Sequence, residues 1–89
     1  MDPAVRVDER VDVVTVFRAS GAERLQAVPC RLRWRGRDID LTTFGMRHPT
    51  AKGQRMIHVF EMGDGKTDYR LEFDAERLTW TLVSVLGAV

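Results

Sequence analysis

The sequence predicts an all-β domain, a six-stranded antiparallel meander curled into a small half-open barrel. Three observations carry that prediction. Apolar and polar residues alternate with period two, most regularly through Cys30, Leu32 and Trp34, through Ile39, Leu41 and Thr43, and through Tyr69, Leu71 and Phe73. Glycine-bearing turn signals separate the alternating runs, at Gly36-Arg37 and at Gly63-Asp64-Gly65-Lys66. No amphipathic helical period of ordinary length interrupts them.

The elements follow in order. Residues 1–9 mix charged and small residues around Pro3 and read as a flexible N-terminal tail. The domain proper is expected over residues 10–86, with a frayed C-terminus at 87–89. Val11–Phe17 is dense in β-branched residues and forms the first strand. Its alternation breaks between Val13 and Val14, which calls for a bulge or for burial on both faces. Arg18–Gln26 is a connection, with room for a short helical turn over Ala22–Leu25.

Pro29–Thr43 reads as a hairpin folded on Gly36-Arg37 in a type II′ turn. That register sets Arg35 against Asp38, Arg33 against Asp40 and Arg31 against Thr42. On the other face it sets Trp34 against Ile39, Leu32 against Leu41 and Cys30 against Thr43. A slip of one residue would drive arginine against isoleucine or leucine, so the faces are strongly specified. Phe44–Gln54 is the longest interior stretch without a period and is expected to be a loop.

Arg55–Met62 is apolar on both faces and reads as a central or doubly covered strand. Two registers are open at the next turn. A two-residue loop pairs Phe60 with Tyr69; a three-residue loop pairs Val59 with Tyr69. Thr67–Phe73 and Leu78–Val85 alternate cleanly and join through Asp74–Arg77, which sets Phe73 against Leu78, Leu71 against Trp80 and Tyr69 against Leu82. The expected core is Leu32, Trp34, Ile39, Leu41, Tyr69, Leu71, Phe73, Leu78, Trp80 and Leu82.

Composition bounds function. A chain of 89 residues with 44% hydrophobic and 30% charged residues builds one small core. Net charge is only +1, but residues 18–55 hold nine basic against three acidic residues. The single cysteine, Cys30, rules out an internal disulfide and reads as a small buried hydrophobe. No apolar run is long enough for a membrane span, and the N-terminus has no apolar signal core, so a cytoplasmic protein is expected.

The segments PCRLRWRGRDIDL, IHVFEMGDG, DYRLEF and LTWTLVSV together resemble an uncharacterised bacterial family of small all-β domains. That family also occurs as a tail on proteins related to translesion DNA polymerases. The WRGR turn, the glycine hairpin and the final W-x-L strand carry the resemblance over residues 11–86. It implies an all-β fold and a DNA-repair or replication context, and it brings no catalytic residues.

Candidate chemistry is confined to cations. Arg31, Arg33 and Arg35 share one strand face with Arg37 in the turn, and Arg47, His48, Lys52 and Arg55 follow in the loop. Such a set could hold phosphates. Against that, Asp38 and Asp40 face two of the arginines, and Trp34 points to the core instead of supplying a stacking platform. His58 alternates with Phe60 and reads as a half-buried structural histidine. No catalytic motif, cofactor signature or metal-ligand spacing is present. The expectation is a non-catalytic β binding module without cofactors. Its partner is expected to be protein ahead of nucleic acid, with no membrane contact, and its state a monomer or a weak edge-to-edge homodimer. Direct nucleic-acid binding through the arginine face and basic loop is the alternative.

Overall fold

A computed structural model describes residues 4–19 and 27–87. The expected helical turn at 22–25 lies outside the described residues. The chain forms seven antiparallel strands in one sheet: β1 (Val5–Phe17), β2 (Ala27–Trp34), β3 (Arg37–Asp40), β4 (Thr43–Lys52), β5 (Arg55–Gly63), β6 (Thr67–Asp74) and β7 (Thr79–Gly87). Their spatial order is β3-β2-β1-β7-β6-β5-β4. The all-β antiparallel class is as expected, but the strand count is seven. The first and last strands pair in the middle of the sheet, so its edges are β3 and β4, which are consecutive in the chain.

Two residues join those edges. The Leu41 amide donates to the Cys30 carbonyl of β2, and the Thr42 amide donates to the Gly63 carbonyl of β5, both at 2.9 Å. Strands second from either edge are thus stitched together through one dipeptide, and the sheet must curl to allow it. It does not close into a barrel. The concave face holds one cluster: Val11, Leu32, Ile39, Leu41, Phe60, Met62, Tyr69, Leu71, Trp80 and Leu82. The Trp80 ring anchors it, with centroids 5.3 Å from Phe60 and 4.8 Å from Phe73, distances suited to tilted aromatic packing.

The extra strand is β4, in the stretch expected to be a loop. Its alternation is hidden by a bulge. Phe44 pairs with Met62 and Met46 with Glu61, which leaves Gly45 over. A Cβ there would stand 2.8 Å from the Glu61 carbonyl oxygen, so glycine is required. Pro49 fits because β4 is an edge strand, where a missing N–H breaks no ladder bond. The chain reverses at Gly53-Gln54, with Gly53 at φ 64°.

The first hairpin differs from expectation by a step that keeps each side chain on its face, and the last one does so as far as a bulge. At β2–β3 the pairs are Arg33–Asp38, Leu32–Ile39 and Arg31–Asp40, two residues from the expected set. The loop is Arg35-Gly36, with φ 52° and 77°. Positive φ at both positions is the type I′ geometry that matches strand twist. At β6–β7 Phe73 pairs with Trp80 and Glu72 with Thr81, again two residues away. A bulge at Val83 then offsets the rest, so Tyr69 meets Val85.

At β5–β6 neither open register occurs. Met62 pairs with Tyr69 and Glu61 with Arg70, and the latter form an ion pair at 3.2 Å. The turn is set by Asp64, whose carboxylate accepts the amides of Lys66 at 2.9 Å and Thr67 at 2.8 Å. The Tyr69 hydroxyl donates to the same carboxylate at 3.0 Å. The Lys66 and then the Thr67 amide hold the Asp64 carboxyl below its usual range. Burial, followed by the Asp64 bond, pushes the Tyr69 phenol up, so it stays a neutral donor.

Other expectations are corrected at the ends and in the core. Residues 5–9, read as tail, belong to β1, and β7 runs to Gly87. The β1 irregularity falls between Val14 and Thr15, but the extra residue is Cys30 on β2. Burial on both faces does not occur there, since Val14 and Val16 are exposed. Cys30 is half-buried in that bulge, with Sγ donating to the Val28 carbonyl at 3.4 Å. Trp34 and Phe73 are half-buried at the rim of the core.

Leu78 is 73% exposed and sits in the β6–β7 turn at φ 57°. A left-handed leucine is strained, and here most of its side chain faces solvent. Leu78→Gly is therefore expected to raise stability by about 0.5–1 kcal/mol, read as a higher urea midpoint. A loss of stability would show that the leucine side chain contributes packing.

Candidate functional site

The convex face of the sheet carries the charges, and cross-strand pairing arranges them in rows. One row runs Arg10, Thr81, Glu72, Val59, His48 from β1 to β4. The next runs Thr79, Asp74, Ile57, Thr50. Arg77 stands in the β6–β7 turn, and Lys52 and Arg55 flank the β4–β5 turn.

Arg10, Lys52, Arg55, Arg77, Glu72 and Asp74 meet around a recess of about 150 Å³, with Thr79, Thr81 and Ile57 in its lining. Ile57 is buried at its base.

The two carboxylates of the recess are committed. Asp74 Oδ1 accepts the amides of Glu76 at 3.0 Å and Arg77 at 3.1 Å. Its Oδ2 accepts Arg55 Nη1 at 2.8 Å. Glu72 Oε1 accepts Lys52 Nζ at 2.7 Å. The Arg77 amide, followed by that of Glu76, holds the Asp74 carboxyl below its usual range, with the Arg55 and Arg77 charges assisting and desolvation opposing.

A carboxyl lowered on folding stabilises the fold above its unfolded value, and that contribution is lost as pH falls through the folded value. Asp64→Asn and Asp74→Asn are each expected to flatten the acid limb of stability below about pH 4. Melts recorded from neutral to acid pH test this; an acid limb as steep as in the parent protein would refute it.

The eight cations singled out from the sequence do not form one surface. Arg31 pairs with Asp40 at 2.9 Å and Arg33 with Asp38 at 3.8 Å, on the convex face of β2 and β3. Arg35 leaves that face. Its guanidinium carbon lies 4.9 Å from the Trp34 ring centre, and it donates to Glu9 of β1. Trp34 Nε1 donates to the same carboxylate at 3.1 Å. The Arg35 bond, then the Trp34 bond, holds the Glu9 carboxyl below its usual range.

Arg37 is exposed beside Trp34 and makes no ion pair among the described residues. Arg47 pairs with Phe60 on the concave side, its Nη1 3.1 Å from His58 Nδ1, with Nε buried and unbonded among the described residues. His58 is half-buried, as expected, while His48 is exposed on the convex face. Only Lys52 and Arg55 join the recess. Arg10 and Arg77, its other cations, lie 67 positions apart, and no local pattern marks them; strand pairing alone brings them together.

Among the described residues no three His, Cys, Asp or Glu side chains assemble to hold a metal ion, and no helix is long and apolar enough to cross a membrane. Comparison of the chain with protein-family models, curated proteins and solved structures yields no match.

Proposed function

We propose that this domain is a non-catalytic binding module that engages a protein partner, in the DNA-repair or replication setting that the sequence resemblance implies. The observation that supports this most is the pairing of cations with carboxylates. Arg31, Arg33, Arg35, Lys52 and Arg55 each contact a carboxylate. Surfaces that track nucleic acid keep such cations available for phosphate and set aromatics among them for stacking. Here the convex strands interleave arginine with aspartate, and Trp34 is already covered by Arg35.

Apolar side chains stand free instead. Val14, Val16 and Phe17 are exposed on β1, and Phe44 and Met46 on β4. Exposed apolar groups of this kind favour a protein contact. Pairing of two copies through the β4 edge is opposed by Pro49 and the Gly45 bulge, two devices that blunt edges.

Titration of single- and double-stranded oligonucleotides into the isotope-labelled domain at low salt tests the reading. The amides of Arg31, Arg33 and Arg35 are expected to stay in place. Salt-sensitive shifts there would favour direct nucleic-acid contact. Immobilised domain presented with replication and repair proteins is expected to retain one of them, and Phe44→Glu or Met46→Glu to release it.

A further inference from the structure

We propose that the recess bounded by Arg10, Lys52, Arg55 and Arg77 binds a dianionic phosphate group, as a phosphate monoester or as inorganic phosphate. This goes beyond the binding-module reading and stands without it. Four cations from β1, β4, β5 and the β6–β7 turn converge on two carboxylates, a local surplus of two positive charges.

Each carboxylate of the recess already has a cationic partner. Asp74 accepts two amides and Arg55, and Glu72 Oε1 accepts Lys52. Arg10 and Arg77 make no ion pair among the described residues, so both guanidinium groups keep their donors. A dianion bound there is held through charge-assisted hydrogen bonds. The Thr79 and Thr81 hydroxyls, half-buried in the lining, are additional donors. Guanidinium groups suit this role because their planar fork matches phosphate oxygens.

Size and lining argue for a single phosphate over a nucleic-acid strand. A recess of about 150 Å³ accepts one tetrahedral group. No aromatic residue lines it, so bases would have nothing to stack on. Ile57 at its base excludes water from one side of the anion, which strengthens the contact.

The test is titration of inorganic phosphate into the isotope-labelled full chain, with chloride at equal ionic strength as reference. Saturable amide shifts are expected at Ile57, Arg77, Thr79 and Thr81. The double variant Arg10→Gln, Arg77→Gln is expected to raise the midpoint by at least about tenfold. Both arginines are exposed, so the variant should keep a dispersed spectrum. Thr79→Val with Thr81→Val gives a second variant with a smaller, several-fold loss.

Phosphoserine should compete with phosphate and so identify a modified side chain as a source; competition by a small sugar phosphate would identify a metabolite. Non-saturating shifts, equal shifts with chloride, or a midpoint unchanged in both variants would overturn the proposal. So would a dinucleotide diester that binds more tightly than phosphate, since that outcome assigns the recess to nucleic acid.

Discussion

Phe60→Ala is expected to destabilise the domain by about 3–5 kcal/mol, the range for removing a large ring from a close-packed core. Phe60 is 2% exposed at the middle of β5. It pairs with Leu71 on β6 and with Arg47 on β4, and its ring centroid lies 5.3 Å from that of Trp80. The loss removes contacts with three strands at once and leaves a cavity that the close-packed neighbours refill only in part. Small domains have roughly 5–15 kcal/mol in total, so the variant should retain only a fraction of the parent's stability. Urea unfolding followed by tryptophan fluorescence measures it, with Phe60→Leu as the milder comparison. A change below about 1 kcal/mol would place Phe60 outside the core.

Leu32→Ala is the second large effect, at about 2–5 kcal/mol. Leu32 is fully buried on β2, flanked across the strands by Val13 and Ile39. Its importance lies in what it closes. β1, β2 and β3 form one flank of the sheet; besides the β1–β7 ladder and the Leu41-Thr42 hydrogen bonds, burial of Leu32, Ile39 and Leu41 with Phe60 and Met62 packs that flank against the other. The expected result is one cooperative transition with a lower midpoint and an unchanged slope on urea. A reduced slope would instead mean that the β2–β3 hairpin unfolds separately from the rest of the sheet.

Legibility differed between faces, registers and sites. Which face each residue occupies was readable, because the side-chain period of a strand is two. Arg31 and Arg33 lie outside and Leu32 inside under either register of the first hairpin, since the two registers differ by two residues. The register itself was decided by turn chemistry, which alternation does not encode. Arg35 takes positive φ and leads a turn in which alternation puts Gly36 first, and its guanidinium then reaches Glu9 and Trp34 instead of Asp38. Leu78 was lost to the core for the same reason: Asp74 stays paired with Thr79 and caps the turn, which puts Leu78 in the loop. β4 was unreadable because an exposed edge strand has no buried face to enforce alternation, and Gly45 shifts its phase midway.

The amino-acid sequence by itself determined the all-β class and the core face of the alternating runs through Leu32, Ile39 and Leu41 and through Tyr69 and Leu71. These follow from local periodicity, because the side chains of a strand alternate between its two faces. Tertiary structure alone decided that β1 and β7 meet at the centre of the sheet, and with that the convergence of Arg10, Lys52, Arg55 and Arg77. The physical reason is closure. Leu41 and Thr42 hydrogen-bond to opposite flanks, the sheet curls around one cluster, and residues distant in the chain become neighbours on its convex side.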